Sequence, residues 1–183
     1  MKGVVFTEFM EMVEARMGLD MLDRIITEAA LPNDGAYTAV GTYDHAELVR
    51  LVTALSNATG MSTSQLIFIF GEQLFQRFSV NYPALFGGAP TAFDFLSGID
   101  GVIHVEVRKL YPDAELPKLE CERPSASTLT VLYSSPRGFG DLAAGLIAGC
   151  IKHFDEPISV TRTDLEKLDA CHRVRFDLVR AST

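Results

Sequence analysis

The stretch from Ala92 to Leu110 constrains the fold most strongly, because its apolar residues recur every three or four positions. This spacing predicts a single helix with one buried face, and His104 lies beside that face. Gly98 and Gly101 fall in the same stretch, although each glycine lowers helix stability by about 1 kcal/mol relative to alanine. We therefore expect either a bend in this helix or a flat group close to it. The residues of the predicted face are Ala92, Leu96, Ile99, Ile103, Val107 and Leu110.

His104 has two interpretations at this point. A single histidine on a helix is most often a half-buried structural residue, but a neutral imidazole is also a common metal ligand. Asp100 and Arg108 lie one helical turn to either side of His104, so its polar neighbours alone do not decide between the two.

Composition favours a single domain with a large interior. The chain has 183 residues, of which 48% are hydrophobic, and its mean hydropathy is +0.17. A chain of this length can form one domain with a sizeable core, so we predict one domain over residues 1–183. The high hydropathy predicts more interior surface than a plain fold needs, for example a lined cavity.

The charge and the cysteines exclude several classes of partner and compartment. The net charge of −8 argues against nucleic acid and against anionic membranes as partners. There is no apolar run of roughly eighteen residues that would predict a membrane span, and acidic residues interrupt the opening apolar stretch, unlike a signal peptide. Cys121, Cys150 and Cys171 are odd in number and widely spaced, which predicts reduced thiols in a cytoplasmic protein.

Helical patterns dominate the first part of the chain and strand patterns the last. We predict helices ending at Gly18, over about 20–30, between Asp44 and Gly60, and from Ser62 onward through an aromatic stretch. Asp44 with Glu47 and Ser62 with Gln65 have the spacing of capping boxes. Strand patterns follow at 127–133, 158–163 and 173–179, with a helix beginning near residue 141 between the first two. This order predicts an α+β fold, with an N-terminal helical part and a small antiparallel sheet that carries a packed helix.

The helix that begins near Asp141 has a distinctive composition. It contains no further charge over its first eleven residues, and Gly145 and Gly149 are four residues apart. This predicts a buried helix that another group approaches closely. Together with the aromatic fourth helix, it could form a narrow apolar space for a flat ring.

Three hydrogen-bond donors follow one another at the end of the first predicted strand. Tyr133, Ser135 and Arg137 are each two residues apart, so an extended chain directs all three to one side. A phenol, a hydroxyl and a guanidinium suit one or two carboxylates, and arginine can bind a carboxylate through two hydrogen bonds. The alternative is an arginine that pairs with an internal aspartate in the turn between strand and helix.

The Tyr-x-Ser-x-Arg triplet, preceded about thirty residues earlier by a helix with one histidine, resembles the H-NOX family. These are haem nitric oxide/oxygen binding domains, related to the haem domain of soluble guanylate cyclase, and the resemblance covers the whole chain. It implies the H-NOX fold, in which helices and sheet enclose a haem. Further matches in family order are Met1-Lys2-Gly3, Leu110-Tyr111, the region of Pro117 and Gly145-Leu146-Ile147.

The resemblance also implies roles for individual residues. His104 would be the axial ligand of the haem iron, Tyr133, Ser135 and Arg137 would bind the haem propionates, and Pro117 would press on the porphyrin. The haem would be b-type and non-covalent, since there is no Cys-x-x-Cys-His for attachment. The residues implied to line the haem pocket are Val5, Leu74, Phe78, Leu142 and Leu146.

The function implied is that of a ferrous-haem nitric oxide sensor of the stand-alone bacterial type, without enzymatic activity. NO would weaken or break the bond between His104 and the iron, and the signal would pass to a separately encoded histidine kinase or diguanylate cyclase. CO would also bind. Phe9, Leu74 and Leu142 stand at the expected distal positions and carry no donor, which disfavours a peroxidase or NO dioxygenase. A haem-dependent enzyme and a haem storage protein remain the alternatives.

Some bacterial members of this family carry a structural zinc site of cysteines and histidine. Here Cys171 stands at one such position, but Phe139 replaces another cysteine, so we expect no zinc. Thr161, Thr163 and Asp164 provide no thiol either. We expect His45, His153 and His172 on the surface, Cys150 in the core and Cys121 in a strand or loop.

Overall fold

The computed structural model describes residues 1–86 and 88–181 and has the predicted α+β architecture. Four helices come first, and the segment containing His104 then leads into the sheet. The first helices are α1 (Gly3–Met17), α2 (Leu19–Ala29), α3 (His45–Thr59) and α4 (Thr63–Asn81), with a short 3₁₀ turn at Pro83–Leu85. They are followed by α5 (Ala92–Gly98), the π segment (Ile99–Ile103), α6 (His104–Leu110), β1 (Lys118–Ser125), β2 (Thr128–Ser135), α7 (Gly140–Phe154), β3 (Ile158–Leu168) and β4 (Cys171–Arg180).

The helix starts confirm one predicted capping box and correct the other. Ser62 and Gln65 satisfy each other's main-chain amides at the start of α4, which is the reciprocal arrangement of a capping box. Asp44 caps α3 by accepting from the amide of Ala46 at 2.9 Å. Glu47 does not return this bond, because its carboxylate accepts from the Tyr37 hydroxyl at 2.7 Å.

The sheet has four antiparallel strands in the order β1-β2-β4-β3, one more than the sequence predicts. The missing strand, β1, contains Pro124 and is largely exposed, and its alternation of polar and apolar residues lasts only over residues 118–122. In β2 the alternation is regular, with Leu129, Val131, Tyr133 and Ser135 all buried on one face.

Two apolar clusters form the interior. The helical cluster consists mainly of side chains from α1 to α4, with Phe6, Phe9, Leu51, Leu55 and Phe70 nearly inaccessible to solvent. The sheet cluster joins α5 and α7 to the inner face of the sheet. Its core includes Phe93, Leu129, Val131, Cys150 and Phe176.

The predicted helix over 92–110 is interrupted in its middle. The amide of His104 bonds to the carbonyl of Ile99, five residues earlier, and this inserts a π turn between α5 and α6. The predicted buried face also weakens toward the end of α6, where Leu110 is 62% exposed. The prediction of one helix with a continuous buried face was therefore wrong, and the interruption found there is a π turn.

The glycines of α7 lie at a close approach, as the sequence predicts. A Cβ atom at Gly145 would lie far inside contact distance of the Phe68 carbonyl oxygen and 2.9 Å from the Cα of Gly71, both in α4. A Cβ at Gly149 would lie 2.7 Å from the Cβ of Phe75. The group that approaches α7 closely is therefore helix α4, and these glycines do not form a space for a flat ring. No helix in the described residues has the length and apolar character needed to cross a membrane.

Candidate functional site

His104 is buried and held by a carboxylate. It begins α6, is 7% exposed, and its Nδ1 lies 2.9 Å from Oδ1 of Asp100. An ionised carboxylate only accepts hydrogen bonds, so Nδ1 carries the proton and the lone pair of the neutral ring is on Nε2. Nε2 forms no hydrogen bond within residues 1–86 and 88–181. This is the tautomer that a metal-binding histidine adopts when a carboxylate holds its other nitrogen.

Tyr133 and Ser135 lie side by side on the buried face of β2, as the spacing predicts. The Tyr133 oxygen accepts from the amide of Phe139 at 3.1 Å, and the Ser135 oxygen accepts from the amide of Arg137 at 3.2 Å. Each hydroxyl therefore keeps its own proton available to donate. Burial raises the pKa of Tyr133, which outweighs the opposite effects of Ser135 and the Phe139 amide, so the phenol stays protonated.

Arg137 lies in the turn after β2, beyond the extended strand that the spacing predicts for all three residues, and it has an acidic partner. Its guanidinium donates to the main-chain carbonyl of Glu115 at 3.1 Å and forms an ion pair with the Glu115 carboxylate. This is close to the alternative in which Arg137 pairs with an internal aspartate, except that its partner is a glutamate. The Glu115 side chain is 79% exposed, so it can move into solvent at little cost if another carboxylate competes for the guanidinium.

The apolar residues assigned to the pocket come together around the helical cluster. Leu74 belongs to its buried core, and Phe9 lies in the same core, packed edge to face on Phe70 at 5.2 Å between ring centroids. Leu146 also contacts the sheet cluster and so connects the two interiors. Pro117 is half-buried at the end of the segment between α6 and β1. The half-buried residues packed against the helical cluster include Val5, Phe78, Leu142 and Leu146.

Two depressions of the described surface lie away from the predicted site residues. One, of about 310 Å³, lies at the start of α4, and the other, of about 270 Å³, lies between α2 and α3. Neither is lined by a predicted site residue. The side chains of the predicted site fit a haem chemically. The buried imidazole has a free nitrogen, three donors suit two propionates, and an apolar set suits the ring.

Two of the other three histidines, His45 and His172, lie deeper than expected, while Cys150 is in the core as predicted. His45 is half-buried with its ring 6.0 Å from that of Phe139, and the half-buried His172 packs against Gly138. His153 is exposed. Cys121 lies in β1. The described residues contain no cluster of three or more His, Cys, Asp or Glu side chains able to hold a metal ion, and the absence of zinc stays a prediction.

Sequence reasoning missed the partners of two site residues. It placed Asp100 one turn from His104 but assigned it no role, although the four-residue spacing was a usable signal for the hydrogen bond. It could not place Glu115 beside Arg137, because the chain between them includes the unpredicted strand β1.

Known proteins resemble this chain along nearly its whole length. The family model for haem-NO-binding proteins matches residues 2–162. The H-NOX protein from K. algicida in its unliganded Fe(II) state is 36% identical, with a TM-score of 0.92 over 100% of this chain and 98% of that chain. The Fe(II)CO form of the H-NOX from Shewanella woodyi is 40% identical, with a TM-score of 0.83 over 99% of this chain and 95% of that one.

The H-NOX protein from S. oneidensis in its Fe(II)NO state is 24% identical, with a TM-score of 0.89 over 100% of both chains, and at this identity it shows the fold alone. No curated protein matched the sequence. The match to the family model over most of the chain and the relatives at 36% and 40% identity lead to one conclusion. The chain belongs to the haem-NO-binding (H-NOX) family.

Proposed function

We propose that this protein is a ferrous-haem nitric oxide sensor in which His104 is the axial ligand of a non-covalent b-type haem. The observation that carries this proposal is the buried His104 ring, whose Nδ1 is bonded to Asp100 while Nε2 has no partner in the described chain. A neutral imidazole nitrogen is a normal axial ligand of haem iron.

The three donors at the end of β2 would hold the propionates. Tyr133 and Ser135 are buried and each has a proton to donate, and Arg137 can bind a carboxylate through two parallel hydrogen bonds. Glu115, which now occupies the guanidinium, would give way. Val5, Leu74, Phe78, Leu142 and Leu146 would contact the ring, and Pro117 would press on it from the segment before β1.

The signal would arise from a change in how His104 is held. Bound haem would supply an iron able to take NO, and His104 would then be held less tightly or released. His104 stands where the π segment meets α6, and the main chain of α6 has few main-chain neighbours besides the π segment among the described elements. A released His104 ring would therefore let α6 move with little resistance, and a separately encoded histidine kinase or diguanylate cyclase would respond.

The apolar surroundings favour NO and CO over dioxygen. Phe9, Leu74 and Leu142 have no donor, and the two tyrosines beside the helical cluster use their hydroxyls elsewhere. Tyr37 donates to Glu47 at 2.7 Å, and the Tyr43 oxygen accepts from the Thr38 amide at 3.0 Å and lies 3.4 Å from the Thr38 hydroxyl, which can accept its proton. The same lack of a proton donor disfavours an enzymatic role. We place this non-enzymatic sensor, a single domain, in the cytoplasm.

The experiment that tests this function replaces His104 with alanine. The H104A protein should lose haem during purification or bind it only when imidazole is added, because no other ring nitrogen can take its place. H153A, which removes an exposed histidine, is the matched control and should keep the absorption spectrum of the parent. An H104A protein with the ferrous spectrum of the parent would show that the ligand is assigned wrongly.

The trigger is tested with a partner enzyme from the same organism. A ligand shifts a conformational equilibrium only through different affinities for the two states. CO, which leaves the His104 bond intact, should therefore change the activity of the partner much less than NO does. Equal effects of the two gases would contradict the trigger.

A further inference from the structure

We propose that Asp100 is a positioning residue that fixes the tautomer and orientation of His104 and strengthens its bond to the metal. This inference rests on the proposed function, since it assumes that His104 is the ligand. It adds a residue that would set how strongly the ring is held, and therefore how readily NO releases it.

The geometry around Asp100 supports this role. Oδ1 lies 2.9 Å from Nδ1 of His104, and this is the one hydrogen bond found for the Asp100 side chain in the described residues. The two side chains are four residues apart, across the π turn. Because donor and acceptor belong to the same short segment, the ring is oriented before any metal binds.

The groups that face Asp100 leave it free for His104. Glu120 and, to a smaller degree, Asp100 raise the pKa of Lys118 in β1. The Lys118 amine donates to Glu120 at 2.7 Å and not to Asp100. Cys121, on the same strand, is also near. Burial raises the pKa of the Cys121 thiol to about 11, and the Asp100 carboxylate adds to the rise. Asp100 therefore sits between His104 and β1 and is not withdrawn into an ion pair there.

A carboxylate behind a ligating histidine has two physical effects. It holds the ring in one tautomer, with Nε2 as the nitrogen that binds, and it makes that nitrogen a stronger base. A stronger base forms a stronger bond to iron, so more differential affinity is needed to break it. Asp100 should thus slow both haem loss and the release of His104 by NO.

The test compares D100N and D100A with the control E106Q. Asn keeps the size of the side chain but removes its charge, and E106Q removes the same charge from a carboxylate that bonds Lys109 instead of His104. In the ferrous haem-loaded protein, the iron–histidine stretching frequency in the resonance Raman spectrum should fall in D100N, fall further in D100A and stay unchanged in E106Q. Haem transfer to apomyoglobin should be roughly 10-fold to 100-fold faster in D100A.

A second readout does not need haem. The ¹⁵N chemical shifts of His104 in the haem-free protein should show a proton fixed on Nδ1 in the parent and in E106Q, and a mixture of tautomers in D100A. D100N provides the same comparison if D100A fails to fold, because its side chain keeps the shape of aspartate.

The outcomes separate this inference from the proposed function. A parent spectrum without an iron–histidine band would contradict the function itself. The role of Asp100 would be overturned if the iron–histidine band had the same frequency in the parent, D100N and E106Q. A mixture of His104 tautomers in the parent would overturn it as well. Either result would leave His104 as the ligand. The pair would then be an ordinary helix-surface contact of residues four apart.

Discussion

The crossing of α4 and α7 and the segment around His104 are both rich in glycine, but for opposite reasons. At the crossing, a Cβ on Gly71 would lie 2.6 Å from the Leu142 carbonyl oxygen and 2.9 Å from the Cα of Gly145, so the two backbones touch. In the His104 segment, a Cβ on Gly101 would meet no described atom within 4 Å. Gly71 and Gly145 allow α4 and α7 to approach each other closely. Gly101 has no such neighbour, so no close contact requires a glycine there.

This difference separates a rigid region from a yielding one. Interior packing leaves no room to relax where backbones are in contact, so the crossing fixes α7 and with it the turn that follows Tyr133 and Ser135. The His104 segment has a π turn, half-exposed residues and few main-chain neighbours. Elements that move during signalling are expected to come from such weakly packed regions.

The largest effect is expected from Gly145→Ala. Its Cβ would overlap the Phe68 carbonyl, so the helices must separate, and the free energy of unfolding should fall by about 3 kcal/mol. Urea denaturation of the parent and the variant measures this. Gly88→Ala is the control, because a Cβ atom at Gly88 would have open space around it. Gly60 is less suitable, since its φ of +74° would strain an alanine. Equal stability of parent and Gly145→Ala would remove the distinction between the two regions.

Substitutions at the proposed propionate-binding residues (the clamp: Tyr133, Ser135 and Arg137) should weaken haem binding and leave folding nearly intact. Arg137→Ala should weaken haem binding by more than Ser135→Ala, since losing a charged hydrogen bond costs about 1.5–3 kcal/mol and losing a neutral one about 0.5–1.5 kcal/mol. Haem retention during gel filtration and the rate of haem transfer measure both. If Arg137→Ala retains haem as well as the parent does, the propionate role is wrong.

Leu142→Tyr tests whether the apolar residues proposed to surround the gas ligand disfavour dioxygen. Leu142 lies in α7, in the rigid region. The parent should bind NO and CO but form no stable complex in air, because Phe9, Leu74 and Leu142 carry no donor. A tyrosine hydroxyl at residue 142 should raise oxygen affinity by roughly tenfold, as expected for a hydrogen bond of about 1.4 kcal/mol. Absorption spectra of the ferrous proteins in air decide this, with Leu142→Phe as the control for size. A persistent oxygen complex of the parent would contradict the prediction.

The smallest effect is expected from Gly101→Ala. The new methyl group meets open space, and alanine favours helix by about 1 kcal/mol over glycine. We expect a gain of about 0.5–1 kcal/mol in the free energy of unfolding, opposite in sign to the effect of Gly145→Ala. Thermal unfolding of the haem-free protein provides the measurement. A clear loss of stability would mean that the π segment needs glycine at this position.

The sequence predicts what depends on local pattern. The capping box of Ser62 and Gln65, the regular burial of β2 and the helix at 140–154 follow from spacing and propensity alone, and all are present. Tyr133 and Ser135 lie on one buried face for the same reason, since side chains alternate along a strand.

The features that the sequence does not predict depend mostly on residues that are distant along the chain. β1 alternates over residues 118–122 only, and its pairing with β2, as in Cys121 opposite Val131, is what shows the full strand. Gly145 signals a close approach, but only the three-dimensional structure shows that Gly71 is on the other side. The π turn before His104 has no sequence pattern of its own, since Gly98 and Gly101 indicate a weak place in the helix but not a change to π hydrogen bonding.

The sheet order also determines when the haem site can exist during folding. Tyr133 and Ser135 lie on β2, which pairs with Val174 and His172 of β4, and α7 and β3 come between them in the chain. Such non-local pairing must first overcome the entropy of closing a long loop. The helical cluster, by contrast, draws almost all its residues from α1 to α4.

A nascent chain can therefore pack its helices long before the residues that would hold the propionates are in register. Haem supplied early in synthesis would find no finished clamp to bind. It would instead act after the last strand has paired, by favouring the completed fold through mass action.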